Sequence, residues 1–308
     1  MRALLLLSLL TGIASAQADL TGALDQIASA ELSKQKIPGV AVVVVKDDHV
    51  VYAAGLGVAS LESKIPVTPD TLFRLGSARV FLAAAVSELS AQGRLHLGTP
   101  VGDYLFGLDA KESQLSAQKL LSPPSEAGEE AVAARLIGNI RGRPASVVLE
   151  EMIFTPLGMT HTTFAPNLAM TYPLAMGHTA EGSIARPMEG GGLFTSANDV
   201  GHFLTVFLND GKVGDTLNER QLLPPAVITA LSSDSGFGLD ADASRGVRLI
   251  RQTSTAPGFA GAILMAPEFH TGVVVLANRA GAGAMTIAQK LLERSLPVRF
   301  PQTLAVVK

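Results

Sequence analysis

Phe73-Arg74-Leu75-Gly76-Ser77-Ala78-Arg79-Val80 is the stretch on which the reading of this chain turns. The run from Val80 to Gln92 has helical composition, so Ser77 stands where a helix begins. A hydroxyl there is an ordinary helix-capping choice. It becomes a nucleophile only if a base is close enough to take its proton, and a residue three positions on lies one helical turn away on the same face. Here that residue is Val80, which cannot move a proton.

The chain has 308 residues, 47% hydrophobic and 17% charged. That is enough for a large buried core, as one extended domain or two interleaved subdomains. The formal net charge of -3 supplies no basic surplus for contacts with a polyanion, which argues against nucleic-acid binding and for a small-molecule or peptide ligand. Met1-Arg2, the apolar run Ala3 to Leu10 and Ala14-Ser15-Ala16 have the charged start, short apolar core and small-residue cleavage site of a secretory signal peptide. Residues 1–16 are therefore expected to be removed on export to the periplasm or the medium, leaving residues 17–308. The run is too short for a membrane anchor, which needs about 20 apolar residues. The chain has no cysteine, so neither a disulfide framework nor a lipid-modified cysteine is available.

Leu20, Leu24, Ile27, Ala28 and Leu32 recur at helical spacing. Val40 to Lys46 is a β-branched run, Asp47-Asp48 a turn, and His49 to Ala54 a second strand, so the three read as a hairpin. Gly261 to Met265 and Gly272 to Asn278 form a similar pair, followed by a helical pattern from Met285 to Leu296. Between these ends, Val80 to Gln92, Ala131 to Ile140, Ala145 to Phe154 and Val200 to Leu208 are helical in composition. Ser196-Ala197-Asn198-Asp199 reads as a capping box with Asp in place of Glu. Leu120 to Glu130, interrupted by Ser122-Pro123-Pro124-Ser125, is the linker candidate.

Several segments together resemble the β-lactamase-related serine hydrolases, the group that holds class C β-lactamases, penicillin-binding proteins, D-alanyl-D-alanine peptidases and related esterases. Besides Thr71 to Gly76 they are Ile37-Pro38-Gly39-Val40-Ala41, Gln92-Gly93-Arg94-Leu95, Phe154 to Thr160 and Gly190 to Ala197. The resemblance implies an α/β (α+β) fold of the serine β-lactamase and penicillin-binding-protein type: an antiparallel sheet built from both chain ends, flanked by helices, with a helical subdomain of roughly residues 78–210 inserted.

The same resemblance implies three catalytic stations, and all three are altered. At the first, a Ser-x-x-Lys is expected. Anchoring on Ser77 puts Val80 at the lysine, whereas anchoring on Phe81 puts Arg79 there and Gly76 at the serine. Arginine cannot replace the base, because its guanidinium stays protonated. At the second, the family's Tyr-x-Asn falls on Ser125-Glu126-Ala127, and Leu120 to Pro124, which resembles the segment before a long loop in relatives, runs almost directly into the helix, so the loop that walls the pocket in relatives is expected to be deleted. At the third, a Lys-Thr-Gly or His-x-Gly on a strand falls on Gln252-Thr253-Ser254. Arg251, one residue away, would point to the opposite face.

His49, His96, His161, His178, His202 and His270 show no paired spacing on one helix face, so no metal and no cofactor is expected. Glu126 and Glu189 are carboxylates within reach of a cleft by sequence position only. The resemblance thus implies an exported serine hydrolase homologue that is catalytically impaired or a non-catalytic binding protein of the cell envelope. The alternative is a hydrolase with residual or altered activity on an ester or amide, such as a β-lactam, a D-Ala peptide or a small ester, with Ser77 as nucleophile. A hydrolase needs a lysine, tyrosine or histidine beside Ser77. A binding protein needs a concave, partly apolar cleft without one.

Overall fold

A computed structural model describes residues 2–123, 127–179, 181, 184–185, 192–214, 218–233, 237–242 and 246–297. From the N-terminus come α1 (Arg2–Gln35), β1 (Gly39–Lys46), β2 (His49–Gly57), β3 (Phe73–Leu75) and α2 (Arg79–Ala91). Helices α3 (Ala127–Arg141) and α4 (Ala145–Leu149) follow, then β4 (Leu193–Thr195) and α5 (Ala197–Leu208). The chain closes with β5 (Asp240–Asp242), β6 (Leu249–Ala256), β7 (Phe259–Ala266), β8 (Thr271–Ala277) and α6 (Ala284–Ser295).

The main sheet has six antiparallel strands in the order β2-β1-β8-β7-β6-β5, so strands from both chain ends meet at its centre. In β1 the alternation of side chains serves two cores at once. Val40, Val42 and Val44 join the cluster under α1 and α6, while Ala41, Val43 and Val45 join the cluster under α5 and α2. A strand covered on both faces reads as an unbroken apolar run, which is why Val40 to Val45 shows no polar alternation. The first hairpin turns at Asp47 and Asp48, with φ of 48° and 63°, the two left-handed positions of a type I′ turn. Asn278 ties the sheet to the loop after β2. It accepts from Gly39 N at 2.7 Å and donates to Val58 O and Ala59 O at 3.0 and 3.1 Å.

Two expectations need correction. The helical pattern from Ala145 to Phe154 is an α-helix only to Leu149 and continues as a π-helical turn over Glu150–Phe154. The linker candidate Leu120 to Glu130 is already helical from Ala127, where α3 begins. Ser125, Glu126, Glu189, Gly190 and Gly191 lie outside the described residues.

At α5 the capping box forms in half. Ser196 Oγ accepts from Asp199 N at 3.0 Å, as the spacing requires. The Asp199 carboxylate turns to the preceding loop instead, accepting from His161 N at 2.9 Å and Thr162 Oγ1 at 2.7 Å. It is only 2% exposed, so it welds the loop after the π-turn to the start of α5.

Candidate functional site

Ser77 sits between β3 and α2. Phe73 and Leu75 are buried and β3 pairs with β4, which fixes the backbone that delivers the serine. The next residue passes very close to β6: a Cβ added at Gly76 would stand 1.7 Å from Thr255 O. A serine therefore cannot occupy position 76 without moving a strand, and the hydroxyl of this region is that of Ser77.

Helix starts leave backbone N–H groups without intrahelical partners. Here five consecutive amides, from Gly76 to Val80, are satisfied by side chains of this chain. Gly76 N and Ser77 N donate to Ser254 Oγ at 2.7 and 3.2 Å. Ala78 N donates to Glu130 Oε2 at 3.1 Å, Arg79 N to Ser77 Oγ at 3.3 Å and Val80 N to Gln252 Oε1 at 3.2 Å. The N-cap position itself is Ala78, so Ser77 contributes to capping from one residue before it.

The Ser77 hydroxyl donates to Glu130 Oε1 at 2.6 Å and receives Gln252 Nε2 at 3.4 Å. Glu130 lies in the first turn of α3 and reaches the start of α2, where the helix dipole favours a negative charge. Sequence reasoning missed this residue, since its neighbour across space is 53 positions away. Val80, at the lysine position, is fully buried. The Arg79 side chain turns away to Gly238 O at 3.2 Å and stands 3.7 Å from Asp240 Oδ1.

Of the third-station residues, Gln252 and Ser254 are brought to Ser77, both buried on one face of β6. Thr253 is exposed on the other face, and Arg251 shares that alternate register. The strand period alone separates these two pairs.

Beside Ser77 opens a cleft of about 410 Å³. The N-cap residue Ala78 and Leu82 of α2 line it, with Ala131 and Ala134 of α3 and Ala145 and Leu149 of α4. Leu75, Leu193 and Phe164 close it, with Gly76 and Glu130 at the serine end and Ser146 also on the wall. Among its described lining residues the only charged side chain is Glu130, and no lysine, tyrosine or histidine lines it.

A catalytic serine needs an activating base and free N–H donors for the oxyanion. In this arrangement the Ser77 amide is already spent on Ser254, and the acceptor of its hydroxyl proton is a carboxylate, a weaker base than a neutral amine. The arrangement can hold an apolar ligand against a capped helix end.

The penicillin-binding protein homologue from Pyrococcus abyssi, described as octameric, superimposes with a TM-score of 0.78 at 21% identity, covering 90% of this chain and 78% of that one. A class C β-lactamase from Rhodobacter sphaeroides does so at 0.73 and 22%, covering 88% and 98%. In sequence, the protein flp of Staphylococcus aureus is 20% identical over 310 residues, 83% of this chain and 62% of the relative, so this chain spans less than two thirds of that protein. The likeness to the solved structures establishes the fold, an antiparallel sheet with helices of the serine β-lactamase and penicillin-binding-protein type. The Beta-lactamase family model matches residues 24–122 and 125–295, and the chain belongs to that family.

Proposed function

We propose that this protein is an exported, non-catalytic member of its family that binds a small molecule or peptide segment in the cleft beside Ser77. The observation that carries the reading is the complete internal use of the Gly76 to Val80 amides, which leaves the serine's own N–H unavailable to an oxyanion. The open, mostly apolar cleft supports a binding role. Export rests on the Met1 to Ala16 pattern. Among the described residues no helix is long and apolar enough to cross a membrane.

The 2.6 Å contact between Ser77 Oγ and Glu130 favours one second reading, a slow esterase in which the carboxylate draws the hydroxyl proton. Intact mass after incubation with a penicillin and, separately, with an alkyl fluorophosphonate separates the two, with Ser77→Ala as control. The binding reading expects unmodified protein. An adduct that disappears in Ser77→Ala establishes the hydrolase.

A further inference from the structure

We infer that the cleft beside Ser77 is built for an apolar ligand with a cationic, amine-type head and against a carboxylate. The inference rests on the binding role proposed above and assigns its ligand class.

A carboxylate ligand needs N–H or cationic partners, and the backbone donors at this end of the cleft are occupied from Gly76 to Val80. The third-station position that resembles a cationic or imidazole residue in relatives holds Gln252, whose amide is committed to Val80 N and Ser77 O. An ammonium needs acceptors. An ionised carboxylate accepts about four hydrogen bonds, and Glu130 receives two, from Ser77 Oγ and Ala78 N. Its remaining lone pairs belong to a side chain that lines the cleft, and among the described residues it forms no ion pair. The Ser146 hydroxyl adds a group that can accept as well as donate.

The body of the ligand follows from the walls. Ala78, Leu82, Ala131, Ala134, Leu149 and Phe164 all line it, so the space suits an alkyl or compact hydrocarbon group. At about 410 Å³ the cleft is near the lower end of ligand pockets, which run from about 300 to 1,000 Å³. Arg74 is the charge that would argue the other way. It is buried, among the described residues its Nε and Nη1 have no acceptor, and burial pushes its guanidinium pKa down. Its side chain leaves β3 on the face opposite Leu75, next to Gly192, and is not among the described residues that line the cleft.

The test is calorimetric titration of the mature protein with n-octylamine, n-octanol and octanoate at pH 7. These three probes share a tail and differ in head charge. The expected order is octylammonium at least about tenfold tighter than octanol, a margin of about 1.4 kcal/mol, with octanoate weakest. Glu130→Gln is expected to reduce octylammonium to the affinity of octanol, and Ala134→Phe, which fills the cleft, to abolish binding of all three. Octanoate equal to or tighter than octylammonium overturns the assignment while leaving a binding protein. Binding of octylammonium that survives Ala134→Phe overturns the site, and no binding of any probe overturns the inference. The wild-type order decides the matter even if a variant fails to fold. A Ser77-dependent fluorophosphonate adduct, by contrast, would sink the non-catalytic reading and not the ligand class.

Discussion

Helices α2 and α5 begin in the same way, each after a short strand and each with a serine near its first turn, yet their ends are satisfied by opposite means. At α5 the partner is local: Ser196 takes the amide of Asp199 three residues on. At α2 only the amide of Arg79 has a local partner, Ser77 Oγ, and the others are taken by groups from far along the chain, Glu130 from α3 and Gln252 and Ser254 from β6, with separations of 52 to 178 residues. A local cap holds whatever the rest of the fold does. A distant one forms only when the sheet and the helical layer are in place, so the start of α2 is a junction between two parts of the molecule.

Four measurements can break or sharpen that contrast. The largest effect is expected from Gly76→Ala, whose Cβ would meet the Thr255 carbonyl and part β3 from β6. We expect a loss of about 3 kcal/mol in urea denaturation, and a near-neutral result would mean that β6 yields easily and the junction is loose. Asp199→Ala is next. It leaves His161 N and Thr162 Oγ1 without the buried carboxylate they share, at a cost of about 2 kcal/mol. If it costs no more than Ser196→Ala, about 1 kcal/mol for an ordinary cap, the carboxylate is not welding the loop to the helix.

A double-mutant cycle of Ser77→Ala and Glu130→Gln is expected to give a coupling of about 1 kcal/mol, because the two side chains share one hydrogen bond. Coupling near zero would show that the hydroxyl–carboxylate bond adds nothing to the joint between α2 and α3.

The smallest effect concerns the far face of the sheet, where Glu31 on α1 meets Lys290 on α6. The Lys290 ammonium, followed by the Gln35 amide, holds the Glu31 carboxyl below its ordinary range against the opposing pull of burial. A lowered folded-state pKa gives stability that is fully present above the ordinary carboxylate range and lost as pH falls through the lowered value. Lys290→Met should therefore cost under about 1 kcal/mol at neutral pH, with the difference from wild type shrinking in acid. A difference that grows in acid would reverse the assigned sign.

The parts of the site differed in how far the sequence exposed them. Ser77 and Val80 are visible because a nucleophile and its base must stand one helical turn apart, a local relation. Gln252 and Ser254 are visible by counting along β6 from Pro257-Gly258-Phe259, and the strand period then separates them from Arg251 and Thr253. Glu130 was hidden because it falls in a stretch read as linker, and nothing in the local pattern ties a carboxylate there to a serine just before another helix. The paired glutamates Glu129 and Glu130 in the first turn of α3 were the available signal, since acidic residues favour a helix start.

By itself the sequence determined the strands at both chain ends, the apolar runs that make β1 and β8 two-sided, the turn at Asp47-Asp48 and the local cap at Ser196, because periodicity and capping act within a few residues. Tertiary structure alone decided which groups satisfy the amides from Gly76 to Val80, where Arg79 turns, and that the space beside Ser77 is an apolar cleft whose described walls carry one charge, that of Glu130. Those outcomes depend on the reach of side chains across packed layers, and that reach is set by how the sheet and helices dock rather than by the order of residues along the chain.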